Sequence, residues 1–209
     1  MTESFQTIRL ARGQLKQTIE AVSRAFLDDP FLKYIAPDDA HRARLTPGFV
    51  SVAVKYCYFY GEVWTSAAAE GAACWLAPGQ TSPSLIGMLR TGALTTPFKF
   101  GKAGFARFNE VIAYTETVHK QCAPMPHWYL WVLGIDPFQQ GKGLGGALLK
   151  PVLERAENDG LPCYLETQNE ANLAFYQKHG FDVVSDGATP KGDLRVWAMM
   201  RQPKTHSSK

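Results

Sequence analysis

What this chain lacks narrows it first. Only four cysteines occur in 209 residues, and Cys57, Cys74, Cys122 and Cys163 show no paired C-x-x-C spacing. That argues against a thiolate zinc site and leaves ordinary thiols in apolar surroundings. No apolar stretch approaches the length that crosses a bilayer, and Met1-Thr2-Glu3-Ser4 lacks the basic-then-apolar pattern of a secretory leader. The expectation is a soluble, cytoplasmic protein with no membrane partner. No cluster of five or more like charges is present and the formal net charge is only +3. Nucleic acid therefore has no electrostatic footprint here, whereas a mildly basic balance suits an anionic cofactor. Lys142 is followed by Gly143 and Leu144 rather than by Ser or Thr, which excludes a magnesium-holding P-loop. No metal is expected.

What is present is apolar material enough for one substantial core, at 45% hydrophobic and 12% aromatic content. The length predicts a single domain over 1–203, with a helical insertion at about 78–126 and a disordered tail over 204–209. Thr7 to Leu10 reads as a strand, and Leu15, Ile19, Val22 and Phe26 mark one helical face that Pro30 brings to an end. A second helix is expected over Asp39 to Tyr60, then a hairpin of Glu62 to Ser66 and Ala72 to Leu76 around Ala69-Glu70-Gly71. Helical periods follow at Leu85 to Leu94 and Phe105 to Lys120. Phe98, Phe100, Phe105 and Phe108, interleaved with Lys99, Lys102 and Arg107, form either a substrate wall or the core face of an amphipathic helix. Trp128 to Ile135 is apolar almost throughout, as a strand buried on both faces should be. A helix follows to about Asn158, bent at Pro151. Cys163 to Thr167 reads as a strand, Asn172 to His179 as a helix closed by Gly180 in a left-handed conformation, and Phe181 to Ser185 and Arg195 to Met200 as the last strands.

Between the strand at Trp128 and the helix ending near Asn158 lies Gln140-Gly141-Lys142-Gly143-Leu144-Gly145-Gly146. Glycines let backbone amides approach a ligand, and the following helix turns its unpaired donors and positive dipole end to the same place. A pyrophosphate is the expected guest. Gly141, Gly143 and Gly146 also spell G-x-G-x-x-G, with Glu166 about 20 residues on, as in a dinucleotide fingerprint. Against an oxidoreductase stands the intervening Asp136-Pro137-Phe138-Gln139-Gln140, which pushes the glycines away from the strand.

The segment Trp128 to Phe181 resembles the GNAT superfamily of acyl-CoA-dependent N-acetyltransferases in several motifs at once. Gln140-x-x-Gly143-x-Gly145 is similar to its pyrophosphate motif Q/R-x-x-G-x-G/A, and Asn172 to Phe181 to its late N-x-x-F-Y-x-x-x-G-F signature. Gly134-Ile135-Asp136-Pro137, Pro151 and Leu165-Glu166-Thr167 resemble a narrower group around puromycin N-acetyltransferase, which carries Tyr where this chain has Asp29. The resemblance implies an α/β fold: a twisted, mostly antiparallel sheet with a splayed parallel strand pair, flanked by helices. It implies acetyl-CoA as acyl donor, held by Gln140, Gly141, Lys142, Gly143, Leu144, Gly145 and Gly146, with a backbone amide around Leu133, Gly134 and Ile135 on the reacting carbonyl. Tyr176 matches the family's general acid.

Direct acetyl transfer to a primary amine also needs a base, because an alkylammonium with a pKa near about 10.4 is almost wholly charged at neutral pH. Glu166 is the candidate, with a carboxylate capping the helix from Asn169 as the alternative reading. Asn172 faces either the pantetheine arm or the local backbone. Adjacent helix residues point about 100° apart, so Phe175 and Tyr176 are not expected to face one core. His119 and His127 lie either by an acceptor pocket or at structural or surface positions, and His179 suits a helix C-terminus. Cys163 as a covalent acyl carrier and a non-catalytic acyl-CoA-binding module complete the alternatives. The expected acceptor is a small-molecule amine, and the sequence is compatible with a homodimer.

Overall fold

A computed structural model describes residues 5–93, 99–191 and 193–204. Seven strands form one sheet in the order β1-β2-β3-β4-β5-β7-β6: β1 Thr7–Arg9, β2 Glu62–Ser66, β3 Gly71–Leu76, β4 Trp128–Ile135, β5 Cys163–Thr167, β6 Asp182–Ala188 and β7 Arg195–Arg201. Every neighbouring pair is antiparallel except β4 and β5, which run parallel. Helices α1 (Leu15–Phe26), α3 (Asp39–Tyr60) and α5 (Gly101–Cys122) cover one face, and α6 (Leu144–Asn158) and α7 (Leu173–Lys178) the other. The short helices α2 (Pro30–Ile35) and α4 (Leu85–Arg90) complete the set described.

Alternation along the strands sorts the core. Trp75, Leu130 and Leu165 join Leu144, Leu148, Leu149 and Val152 on the α6 face, while Cys74 and Leu76 join Val22, Val50 and Val54 on the other. The strand β4 is less buried than its composition predicts. Trp128, Leu130 and Gly134 are buried, but the remaining residues are half-buried, because β4 pairs with β5 only at Trp128↔Cys163 and Tyr129↔Tyr164. Past that point the two strands part. A bulge in the β3–β4 pairing, where Cys74 meets Val132 and Trp75 meets Leu130, leaves Trp131 as the extra residue and adds local bend to the strand that leaves.

Pro30 does not simply end α1, which stops at Phe26. It opens α2 at a first-turn position where its missing N–H costs nothing, and Asp29 caps that helix by accepting from the Phe31 amide at 2.9 Å. Arg42, buried on α3, holds the connections on either side: Nε donates to the Leu27 carbonyl at 2.7 Å and Nη1 to the Ala36 carbonyl at 3.0 Å. That guanidinium, with Arg107 donating to the Tyr34 carbonyl at 3.2 Å, sets the posture of α2 and hence of Asp29.

In the 78–126 region, α4 ends at Arg90 and exposes Leu85, Ile86 and Leu89, against the periodicity that would bury them. Leu94 and Phe98 lie outside the described residues. Phe100 and Phe108 pack with Phe31 and Phe49 at centroid distances of 5.1 to 6.3 Å, whereas Phe105 is exposed. Helix α6 continues through Pro151. The Lys204 amide is tied to Glu157 at 2.6 Å, and 205–209 fall outside the described residues.

Arg42→Leu keeps the bulk but strands the buried Ala36 carbonyl and the part-buried Leu27 carbonyl, at roughly 1–3 kcal/mol each. Urea unfolding should report a loss of about 3 kcal/mol with an unchanged m-value.

Candidate active site

The turn after β4 is built by its own side chains. Asp136 accepts from the Phe138 amide at 3.1 Å and from Arg24 Nε of α1 at 2.9 Å, and its amide donates to the Glu70 carbonyl at 2.9 Å. Gln140 folds back to donate through Nε2 to the Ile135 carbonyl at 3.0 Å, closing the loop. Gly141 (φ 77°) and Gly143 (φ 94°) then adopt left-handed conformations that disfavour any other residue. No side chain caps α6, whose first intrahelical bond runs from the Ala147 amide to the Gly143 carbonyl. The amides of Leu144, Gly145 and Gly146 are therefore donors available to an anion. Lys142 adds an exposed ammonium, held to Gln139 at 2.7 Å.

Gly145 and Gly146 serve a purpose the motif alone does not reveal. A Cβ on Gly145 would stand 3.2 Å from the Phe175 ring, and one on Gly146 would stand 2.5 Å from His179 Nε2. These glycines let α6 and α7 touch. His179 closes α7 with Nδ1 against the Phe175 carbonyl at 2.8 Å. On the other side of β4, a Cβ on Gly134 would stand 2.8 Å from Val22, so Gly134 seats α1 against the strand. Leu133, Gly134 and Ile135 pair with β3 along one edge and, among the described residues, have no strand partner along the other.

Beyond the parting, β5 leads to the second arm. Asn169 caps the turn before α7, accepting from the Ala171 amide at 3.1 Å, so Glu166 is not the helix cap. Asn172 reaches the Thr167 hydroxyl at 3.5 Å. Tyr176 and Phe175 both belong to the α6-side core, contrary to the expected divergence, with Tyr176 buried and Phe175 at its margin against Gly145. Burial, and then the charge of Asp29, hold the Tyr176 hydroxyl above the usual phenol range. It stays protonated at any working pH.

The electrostatic coupling of Asp29 to Tyr176 is what sequence reasoning missed. Burial pushes the Asp29 carboxyl up to about 6 against the pull of the Phe31 and Leu32 amides. Its signals in the sequence, a place before Pro30 and a departure from the Tyr of the puromycin N-acetyltransferase-like group, say nothing of Tyr176.

Glu166 lies one residue along β5 from Leu165 and so on the opposite sheet face from Tyr176. Its side chain is 5% exposed, and Oε2 accepts from the Tyr129 hydroxyl at 2.6 Å. Burial raises its carboxyl to about 7, against the hydrogen bond from Tyr129. Next to it, His119 stacks on Tyr164 with centroids 4.5 Å apart, and its Nε2 lies 2.7 Å from His127 Nε2. Both histidines are held below the ordinary range by burial, His119 at about 4. Cys163 is no acyl carrier: it is fully buried, and burial pushes its thiol up to about 12.

Because the folded protein holds the Glu166 proton more tightly than the unfolded chain, it binds more protons between pH 4.5 and about 7, and stability falls as pH rises through that window. Asp29 contributes with the same sign between 3.8 and about 6. Glu166→Gln should melt at the wild-type temperature near pH 4 and be more stable by about 3 kcal/mol at pH 8, read from denaturation curves at both values.

Comparison with known proteins agrees with this geometry. An uncharacterized N-acetyltransferase of Schizosaccharomyces pombe is 25% identical over 207 residues, covering 95% of this chain and 84% of that one. Among solved structures, one described as histone acetyltransferase HPA2 and related acetyltransferase from Corynebacterium glutamicum superposes with a TM-score of 0.68 at 21% identity, covering 98% of this chain and 99% of that chain. A Drosophila melanogaster polyamine N-acetyltransferase that forms N-acetylagmatine superposes with a TM-score of 0.62 at 12% identity, covering 95% and 100%. These two likenesses speak for the fold. The profile of the acetyltransferase (GNAT) family matches residues 60–181, which takes in the parted strands, the glycine turn and Tyr176, and the chain belongs to that family.

Proposed function

We propose that the protein moves an acetyl group from acetyl-CoA directly to the primary amine of a small molecule. One observation supports this above the others: β4 and β5 part beside an uncapped helix start, with a protonated phenol on one sheet face and a carboxyl tuned to about 7 on the other. On this reading Gln140, Gly141, Lys142, Gly143, Leu144, Gly145 and Gly146 hold the pyrophosphate, the first by closing the loop and the rest through amides and one ammonium. The free edge of Leu133, Gly134 and Ile135 receives the pantetheine arm and offers an amide to the carbonyl oxygen as negative charge gathers there. Asn172 fixes the turn beside it.

Glu166 takes a proton from the ammonium, directly or through water. A carboxylate near 7 is better matched to that task than an ordinary one near 4.5. The nitrogen then attacks, Tyr176 protonates the sulfur as it leaves, and the second nitrogen proton, shed as the amide forms, returns to the Tyr176 oxygen. A second reading rests on Asp29, whose raised carboxyl and coupling to Tyr176 also suit a base. The reading preferred here gives Asp29 the acceptor's ammonium to hold, with the half-buried rings of Phe31, Phe49 and Phe108 receiving an apolar body. The arylalkylamine N-acetyltransferase 2 of Aedes aegypti shares the fold, with a TM-score of 0.64, and is in keeping with an amine of that kind. Residues 1–203 act as one cytoplasmic domain, in which the 78–126 segment chooses the acceptor. The motifs place the chain near the puromycin N-acetyltransferase-like group, while Asp29 in place of Tyr disfavours puromycin itself.

Acetyl-CoA should raise the melting temperature, whereas NAD and ATP should not; stabilisation by NAD alone would overturn the reading. Gly143→Val, strained at φ 94°, should abolish the acetyl-CoA shift. Tyr176→Phe should lower kcat on the order of 10²-fold with KM for acetyl-CoA nearly unchanged. Parallel assays of Glu166→Gln and Asp29→Asn decide between the bases: the true one loses the rise of kcat with pH, and the other changes KM for the amine.

A further inference from the structure

Acetylation of an alkylammonium releases one proton per turnover, because the amine enters charged and leaves as a neutral amide while the thiol departs protonated. If Glu166 is the base, as the proposed function has it, that proton comes to rest on a carboxyl with a 5% exposed side chain. It has to leave before the next cycle. Tyr129 already donates its hydroxyl proton to Oε2, and both Tyr129 and Tyr164 are phenols kept neutral by burial and by the Glu166 charge. Neither takes up a proton. The other oxygen, Oε1, has no hydrogen-bond partner among the described residues and lies 3.8 Å from His119 Nδ1.

The hydrogen-bond pattern fixes which nitrogens carry protons. His127 Nδ1 stands 2.7 Å from the Met125 carbonyl, an acceptor, so this nitrogen bears the hydrogen and Nε2 offers its lone pair. His119 Nε2, 2.7 Å from that lone pair, must then be the donor. This leaves the His119 Nδ1 lone pair turned toward Oε1. Both rings, with Thr81, Ser82, Glu116 and Lys120, line a solvent-open cleft of about 200 Å³.

We infer that His119 and His127 form a proton exit that returns Glu166 to its carboxylate after each turnover and delivers the proton to water in this cleft. The Glu166 O–H breaks as the His119 Nδ1–H forms. The His119 Nε2–H stays on the His127 lone pair, and the His119 imidazolium gives its Nδ1–H to water or buffer in the cleft, which it lines with a 14% exposed side chain, so that both rings are back in their starting tautomers. No electrons or other groups change hands. Burial keeps both rings from retaining the proton: with Glu166 near 7 and His119 near 4, the charged histidine is populated at roughly one part in 10³, which suits a carrier and not a store. Glu116 and Lys120 flank the exit with opposite charges.

The test is kcat at constant ionic strength in rising imidazole. His119→Phe keeps a ring on Tyr164 and breaks the path; His119→Gln keeps a polar group there and breaks it too. Each should lower kcat by more than about tenfold, with KM for acetyl-CoA unchanged, and imidazole should restore it while the wild type stays flat. Glu166→Gln should be slow and unresponsive to imidazole. Wild-type kcat in both His119 variants, beside a slow Glu166→Gln, would overturn the exit and leave the base standing. A loss that imidazole never restores, in a His119→Gln protein melting at the wild-type temperature, would also overturn it. Full activity in Glu166→Gln would remove the base, and the exit with it.

Discussion

The parting of β4 from β5 is the constraint on which the rest depends. Two neighbouring parallel strands ordinarily satisfy each other's backbone groups along their whole length, yet here the ladder stops after two pairs. Three local features hold the strands apart. The bulge at Trp131 bends β4, the missing side chain of Gly134 draws α1 onto it, and Asp136 pins its end to Arg24. On the proposed reading, the peptide groups left over along the open edge receive an extended, amide-rich guest such as a pantetheine arm.

Placing the titratable groups on opposite sides of that gap divides the labour. Glu166 is buried among aromatic rings on the α5 face and Tyr176 in the aliphatic core beneath α6. Burial acts on both in the same sense, favouring the protonated form, but it moves the carboxyl into the physiological range and the phenol away from it. The same physical effect thus produces a group that exchanges protons at neutral pH and another that keeps its own until a thiolate appears.

Much of this was legible in the sequence, and the limits are instructive. The bounds of α3 and the β2–β3 hairpin followed from periodicity and from Gly61, and the left-handed Gly180 from its place after a helix. Gly143 and Gly145 pointed to the family before any coordinates. Less visible were features set by residues far apart in the chain. Pro30 read as a stop because its role as a starter depends on Asp29 capping the turn, and the charge coupling of Asp29 to Tyr176 joins positions almost 150 residues apart. The apolar face of α4 misled because periodicity reports what a helix can bury, not whether a neighbour is there to cover it. His119 and His127 were individually unremarkable, since their meaning lies in a nitrogen-to-nitrogen contact that no spacing encodes.

The contact of Gly145 and Gly146 with Phe175 and His179 carries one more consequence. With no side chains to separate them, the start of α6 and the body of α7 are locked together, so the uncapped amides and the Tyr176 phenol belong to a single stiff piece. The span between them is a fixed ruler. On the proposed reading, a donor is gauged from its phosphates outward, and its carbonyl arrives at the reacting position only if the linker between has the length that this ruler sets.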